Sequence, residues 1–510
     1  MRPVVSLPRP AALLVVAAAV VLAGCQAAAP EPRGPEVTTD GGVYYGDIAF
    51  EPCSLSAPLG SAVEARCAKV SVPENRADPD GRAIELAVAW IESSGDAQPD
   101  PVVMIAGGPG QSALQSYPML HAAFGDIRRN RHVLLVDARG TGGSNLLACH
   151  DEDGNTAFSD PDEHTVEAAR AFAERCRDQL ATHADLRFYG TADHVRDLEQ
   201  VRALIGAPQL NLVGISYGTR VAQQYAAAWP EHTRTVLLDS VVPNALPLGN
   251  EHAANLEAAL ERLFERCRED AACAGNLGDP AANLAKVRGQ LEAGGLDAVD
   301  YRDPVTGEWT RDTPTYGHLA ALLRMYAYQP AATATLPLLL HEAAGGRYQS
   351  LMAQAQMLMT DLGGQIAHGM QLSVTCTEDY PDMAAGDGDA GTVMGTELLD
   401  FTRAQCEAWP RGERVPAFRE PLATDVPLLA ISGEFDPVTP ARYGDAVVEH
   451  LPNGRHLVLP GQGHNVLPAG CMPTLAAQFI ESADAGALDA SCLDRLQPVP
   501  PFAGTYGWEP

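Results

Sequence analysis

Residues 212–220 read LVGISYGTR, a single serine between two glycines behind a short apolar run. A serine hydroxyl becomes a useful nucleophile only when a neighbouring base takes its proton. The G-x-S-x-G spacing is what a sharp strand-to-helix turn requires, with the serine oxygen exposed at its tip. About 0.2 chance matches are expected in a chain of this length, so Ser216 has to be read with its partners. The base is expected late in the chain, after the last strand. His464 in VLPGQGHNVLP stands there, whereas His456 opens that strand. The acid should fall between serine and histidine in chain order. Asp436 in ISGEFDPVTP is preferred, with Glu434 and Asp239 as rivals, and the Thr439 hydroxyl can orient Asp436. GGPG (107–110) ends the apolar run that begins near Val102. Pro109 has no N–H to offer, so the amides of Gly108 and Tyr217 are the expected oxyanion donors.

Those residues need elements to hold them. AIELAVAWI (83–91) alternates like a half-exposed strand. PVVMIAGGPG (101–110) and HVLLVDARGTGGS (132–144) are continuous apolar runs ending in glycine, as buried parallel strands do. DHVRDLEQVRALIGA (193–207) has helical spacing, LNLVGIS (210–216) is the next strand, and a helix runs from Tyr217 to Trp229. TRTVLLDSV (233–241), VPLLAISGEFD (426–436) and RHLVLPGQGH (455–464) complete the set. This order gives an α/β fold with a doubly wound, mostly parallel sheet. Between 243 and 420 helical stretches such as LEAALERLFERC (256–267) and GHLAALLRMYAY (317–328) dominate. The core is thus expected at 46–242 and 421–510, with residues 243–420 as an inserted, mostly helical lid.

The N-terminus is expected to be a processed leader. Arg2 and Arg9 precede AALLVVAAAVVLAGC, which is short for a membrane span and has signal-peptide flanks. LAGC resembles the bacterial lipobox, in which the cysteine, here Cys25, becomes the lipid-bearing first residue. Ordinary cleavage near Ala23, or an uncleaved anchor, is the alternative. Residues 26–45 are read as a Pro/Gly/Ala-rich tether. Of 11 cysteines, lipidation of Cys25 leaves five pairs, as suits an oxidising compartment. Sequence neighbours suggest 53–67, 149–176, 267–273, 376–406 and 471–492. With no C-x-x-C and no H-E-x-x-H, neither a metal site nor a cofactor is expected. The formal charge of −30 argues against nucleic acid as a partner.

Taken together, GGPG, DARGTGGS (137–144), GISYG, SGEFDPVTP and GQGH resemble the prolyl aminopeptidase and tripeptidyl aminopeptidase family of α/β-hydrolase serine peptidases. The likeness spans about 50–495 and leans towards the secreted, tripeptidyl-releasing bacterial branch. The resemblance implies an α/β-hydrolase fold with Ser216, Asp436 and His464 as triad, and Gly108 and Tyr217 as oxyanion donors. It also implies that lid carboxylates bind the free amino terminus of a peptide, for which Glu378 and Asp379 in VTCTEDYPD are candidates. The chain departs from the prolyl enzymes at Ala106, where they usually carry histidine, and this weakens a narrow proline-specific reading. The expectation is an exported aminopeptidase of the bacterial cell envelope, held to a membrane through Cys25. An esterase or lipase with the same triad is the alternative, and a surface binding protein on a non-catalytic hydrolase scaffold is the reading from a different class.

Overall fold

A computed structural model describes residues 1, 36–37, 42–57, 61–150, 165–363, 365–504 and 507. Residues 2–35, Cys25 among them, and residues 38–41 of the tether lie outside the described residues. The strands are β1 (Glu36–Val37), β2 (Val43–Tyr45), β3 (Ile48–Leu55), β4 (Val63–Pro73), β5 (Ala83–Ile91), β6 (Val102–Ile105), β7 (Val133–Val136), β8 (Leu210–Ile215), β9 (Thr233–Asp239), β10 (Val299–Arg302), β11 (Trp309–Asp312), β12 (Leu428–Gly433) and β13 (Gly454–Leu459). Eleven of them form one sheet in the order β1-β2-β3-β4-β5-β7-β6-β8-β9-β12-β13. From β7 to β13 neighbours are parallel, and from β1 to β5, and between β5 and β7, they are antiparallel.

The parallel strands are covered on both faces, which is why they read as unbroken apolar runs. Side chains alternate across the sheet. Val103, Leu212, Val236 and Leu428 enter one core, and Val102, Val213, Leu237 and Leu429 the other. The antiparallel extension begins inside the segment expected to be tether. Val43 and Tyr45 are buried, and the Tyr45 ring stacks on Trp90 with centroids 4.3 Å apart. Burial of a large aromatic surface draws those residues into the sheet.

The helices of the first part are α1 (Ala113–Leu120), α2 (Val166–Leu180), α3 (Thr191–Leu204) and α4 (Tyr217–Ala228). Between β9 and β12 lie α5 (His252–Glu269), α6 (Ala271–Leu277), α7 (Pro280–Ala293), α8 (Tyr316–Tyr326), α9 (Pro330–Thr333), α10 (Leu336–Ala344), α11 (Gln349–Gly363), α12 (His368–Glu378) and α13 (Glu397–Ala408), with the β10–β11 hairpin. The chain ends with α14 (Ala441–Val448) and α15 (Met472–Ser482). Helices α5, α8, α10 and α11 enclose a core of their own, with Leu260, Phe264, Leu322, Leu340 and Leu351 at its centre. Helix α12 behaves differently. Its Met370, Leu372, Val374 and Cys376 join the main core above the sheet, so this part of the insertion is built into the body that carries the sheet. The structure contains the disulfides Cys53–Cys67, Cys149–Cys176, Cys267–Cys273, Cys376–Cys406 and Cys471–Cys492, the pairs that sequence neighbours suggested.

Candidate active site

The chain leaves β6 towards β7 on one side and, after α3, returns to β8 on the other. In open α/β sheets ligands bind at such a reversal, outside the carboxyl ends of the strands. Ser216 stands at the end of β8, before α4, at φ 54° and ψ −123°. A non-glycine residue rarely holds a positive φ, and such strain persists only where the surroundings enforce it. The flanking glycines explain how they do so. A Cβ on Gly218 would fall 2.3 Å from the Ile105 carbonyl oxygen, and one on Gly214 2.4 Å from that of Gly218. The loop after β6 approaches equally closely, since a Cβ on Gly107 would lie 3.0 Å from the Ser216 Cβ.

Asp436 and His464 follow β12 and β13. His464 Nδ1 is 2.8 Å from Asp436 Oδ2. The same oxygen accepts the Thr439 hydroxyl at 2.8 Å, and Oδ1 accepts the amides of Val438 at 2.9 Å and Thr439 at 2.8 Å. Both side chains are buried. Burial penalises the Asp436 carboxylate, but the imidazole and these donors outweigh it and hold its pKa below the usual value. Burial likewise opposes the His464 imidazolium, and the Asp436 charge overcomes it, raising the histidine. An Nδ1 held in this way turns Nε2 outward as the proton acceptor.

The rivals have other partners. Glu434 pairs with Arg262 at 2.9 Å and accepts the Gly461 amide at 2.8 Å. Asp239 accepts the amides of Val466 and Leu467, each at 2.9 Å. His456 bonds Asp445 at 2.8 Å and Ser432 at 3.0 Å.

Ser216, Gly108 and Tyr217 line one cavity of about 300 Å³, closed by α2, by lid residues such as Leu248, His252, Arg324 and Tyr328, and by α12 and α13. Glu378 and Asp379 do not line it. Both are buried, and their oxygens turn inward, which corrects their placement as binders of a substrate amine. Glu378 accepts the Thr191 amide at 2.6 Å and the Thr191 hydroxyl at 2.8 Å. That hydroxyl also bonds the Tyr217 phenol. Burial, with Asp379 beside it, raises the Glu378 pKa to about 7. Asp379 Oδ1 meets Arg220 of α4 at 3.0 Å and Arg419 at 2.9 Å. A paired carboxylate of this kind braces α4, because breaking it would strand a buried charge.

Tyr328 was not foreseen from the sequence. Its carbonyl accepts the His464 amide at 2.8 Å, and its ring stands edge-on to the imidazole with centroids 5.0 Å apart. His252 and Arg324 were missed as well. The one available signal was an arginine inside the apolar helical run LAALLRMYAY. Among the described residues no group of three or more His, Cys, Asp or Glu side chains could hold a metal ion.

The chain is 26% identical over 460 residues to the serine protease Hip1 of Mycobacterium tuberculosis, covering 83% of this chain and 86% of that protein. It is 25% identical over 504 residues to a tripeptidyl aminopeptidase of Streptomyces lividans, covering 92% of this chain and 91% of that protein. A solved structure of a proline iminopeptidase from Mycobacterium smegmatis aligns with a TM-score of 0.39 at 17% identity, over 82% of this chain and 100% of that one. Residues 100–469 match the α/β hydrolase fold model, and the chain belongs to that family.

Proposed function

We propose that this protein is an exported serine exopeptidase that removes short N-terminal segments from peptides, with Ser216 as nucleophile, His464 as base and Asp436 as its orienting acid. The observation that carries the reading is the buried Asp436–His464 pair at 2.8 Å, set at the same end of the sheet as a serine held at positive φ. His464 takes the Ser216 proton as the hydroxyl attacks the scissile carbonyl, and Asp436 stabilises the imidazolium. The amides of Gly108 and Tyr217 receive the oxyanion. The amine departs with the proton from His464, and water cleaves the acyl-enzyme. Relatives that bear the names serine protease and tripeptidyl aminopeptidase support a peptide substrate. Five disulfides fit an exported protein, and a lipid on Cys25 would hold it to the envelope.

A second reading, an esterase with the same residues, is favoured by the absence of any carboxylate from the described cavity wall, since a free amine calls for one. The deciding experiment is a panel of chromogenic amides of one to four residues with free and acetylated amino termini, beside matched esters. Exopeptidase action predicts cleavage of the free amides, with acetylation lowering kcat/KM by about 100-fold, the worth of one charge-assisted contact. Equal cleavage of free and acetylated amides removes the exopeptidase reading, and turnover of esters alone establishes the esterase.

A further inference from the structure

The chain carries 65 acidic residues against 35 lysines and arginines. Around Ser216 the balance reverses: the described residues that line the cavity include Arg175 and Arg324 and no Asp or Glu. Arg175 is exposed at the α2 side, whereas Arg324 is half-buried on α8. Arg324 has no carboxylate partner among the described ion pairs of this structure. The groups packed around it offer no counter-charge. His252, from α5, is pushed down to about 3 by burial and by the Arg324 cation, so it is neutral at physiological pH. The Tyr328 phenol is raised by burial, though Arg324 pulls against this, and stays protonated. Asp436 reaches both electrostatically, but its oxygens are taken by His464, Thr439 and Val438. A half-buried guanidinium on a cavity wall without an anionic partner is free to receive one, and its planar fork matches a carboxylate in two parallel bonds.

The position of Arg324 tells which end of a substrate it meets. The histidine of a serine hydrolase hands its proton to the departing group, so that group lies against the imidazole. Tyr328 presents its ring to His464 at 5.0 Å. Arg324 is four residues earlier, lies by the Tyr328 hydroxyl and lines the same cavity. It therefore stands on the histidine side of Ser216.

We propose that Arg324 is a specificity-determining residue that binds a carboxylate on the leaving-group side of the scissile bond. The carboxylate has two possible sources, the free C-terminus of a short peptide or an acidic side chain next to the cut. The inference rests on the peptidase reading for its substrate class.

The test compares kcat/KM for matched peptides in two arms. One arm pairs a free C-terminus with a C-terminal amide just beyond the scissile bond, and the other pairs Glu with Gln at the first leaving residue, with the C-terminus amidated. The wild type should favour the anionic member of at least one pair by about tenfold or more, as a charge-assisted contact does. Arg324→Met should bring that ratio to within about twofold, and Arg324→Lys should keep part of it, with folding of each variant checked by thermal unfolding. The arm that responds identifies the source. Equal rates within both pairs for the wild type, or a preference that survives in Arg324→Met, would overturn the proposal. Failure of the peptidase reading looks different: labelling by a fluorophosphonate with no peptide cleaved. In that event esters with a carboxylate or a carboxamide on the alcohol side carry the same comparison, and the same two results decide it.

Discussion

The amide of Ser216 donates to the Asp239 carbonyl at 2.8 Å, and the carboxylate of that same Asp239 holds the amides of Val466 and Leu467, just past His464. Ser216 and the histidine loop thus hang from one residue, and the neighbouring Ser240 hydroxyl accepts the Asn465 amide at 2.8 Å. Asp239→Asn keeps the carbonyl but replaces one carboxylate oxygen with a donor that faces an amide. We expect a loss of about 1–3 kcal/mol in stability, measured by denaturant unfolding, together with slower turnover. Unchanged stability would show that the loop does not depend on this anchor.

Asp436→Asn should act on chemistry instead. It leaves the fold intact, turns the His464 tautomer the wrong way and lowers kcat by about 10³–10⁴-fold, the size of such a loss in a serine protease triad. The pH profile separates the two acids. His464 is raised above its ordinary 6.5, and only the neutral imidazole can accept a proton. Activity therefore falls as pH drops through a midpoint above 6.5, about tenfold per unit below it. Removing the Asp436 charge should move that limb to lower pH, and by more than Asp239→Asn does. For stability the sign is opposite. The raised histidine favours the fold fully below pH 6.5 and loses that contribution as pH rises through its folded value.

Ser216→Ala should leave a folded protein with turnover reduced by 10³-fold or more, by analogy with triad losses elsewhere, and no labelling by a fluorophosphonate. Near-normal activity in the purified variant would remove Ser216 from the mechanism.

Glu378 gives a pH effect of its own. Its pKa rises from 4.5 unfolded to about 7 in the fold, so the protonated form is the one the structure favours. The contribution is present below pH 4.5 and lost as pH rises to about 7, an amount of roughly 3 kcal/mol at about 1.4 kcal/mol per unit. Glu378→Gln carries no such charge. Its melting temperature relative to wild type should therefore climb between pH 4.5 and pH 8. A difference that stays flat across that range would mean that the wild-type carboxyl does not titrate there.

Mature protein recovered from an oxidising compartment should show no free thiol, with ten cysteines paired and Cys25 carrying lipid. Intact mass with and without reduction reads both. Two or more thiols alkylated before reduction would contradict the five bridges.

The parallel half of the sheet was legible in the sequence because strands buried on both faces have to be apolar throughout: the run at 210–216 became β8 almost residue for residue, and β12 occupies the middle of the run at 426–436. Ser216, Asp436 and His464 stood out as candidates because each follows a strand end in the order serine, acid, histidine, although that order left Glu434 open as a rival acid. The antiparallel extension was harder to see. Strand β3 carries Pro52, and β4 carries Glu64, Arg66 and Lys69 between small residues, so neither presents a strong apolar alternation. Glu378 and Asp379 were misplaced because adjacency in sequence says nothing of what lies beneath a helix end. Only the packing of α12 into the main core puts Thr191, Arg220 and Arg419 against them. Arg324, Tyr328 and His252 come from two lid segments that meet only in three dimensions.

The 2.8 Å bond from the His464 amide to the Tyr328 carbonyl ties the inserted helices to the histidine loop. Gly463 fits beneath that carbonyl with no room to spare, since a Cβ there would fall 2.2 Å from the oxygen. Helices that swung away as a rigid body would take one support of the histidine loop with them. A movement of these helices and a loosening of the histidine loop would then be coupled. A nick in the chain near Tyr328 would therefore remove one support of the His464 loop from a distance, while Asp436, Asp239 and Ser240 kept theirs.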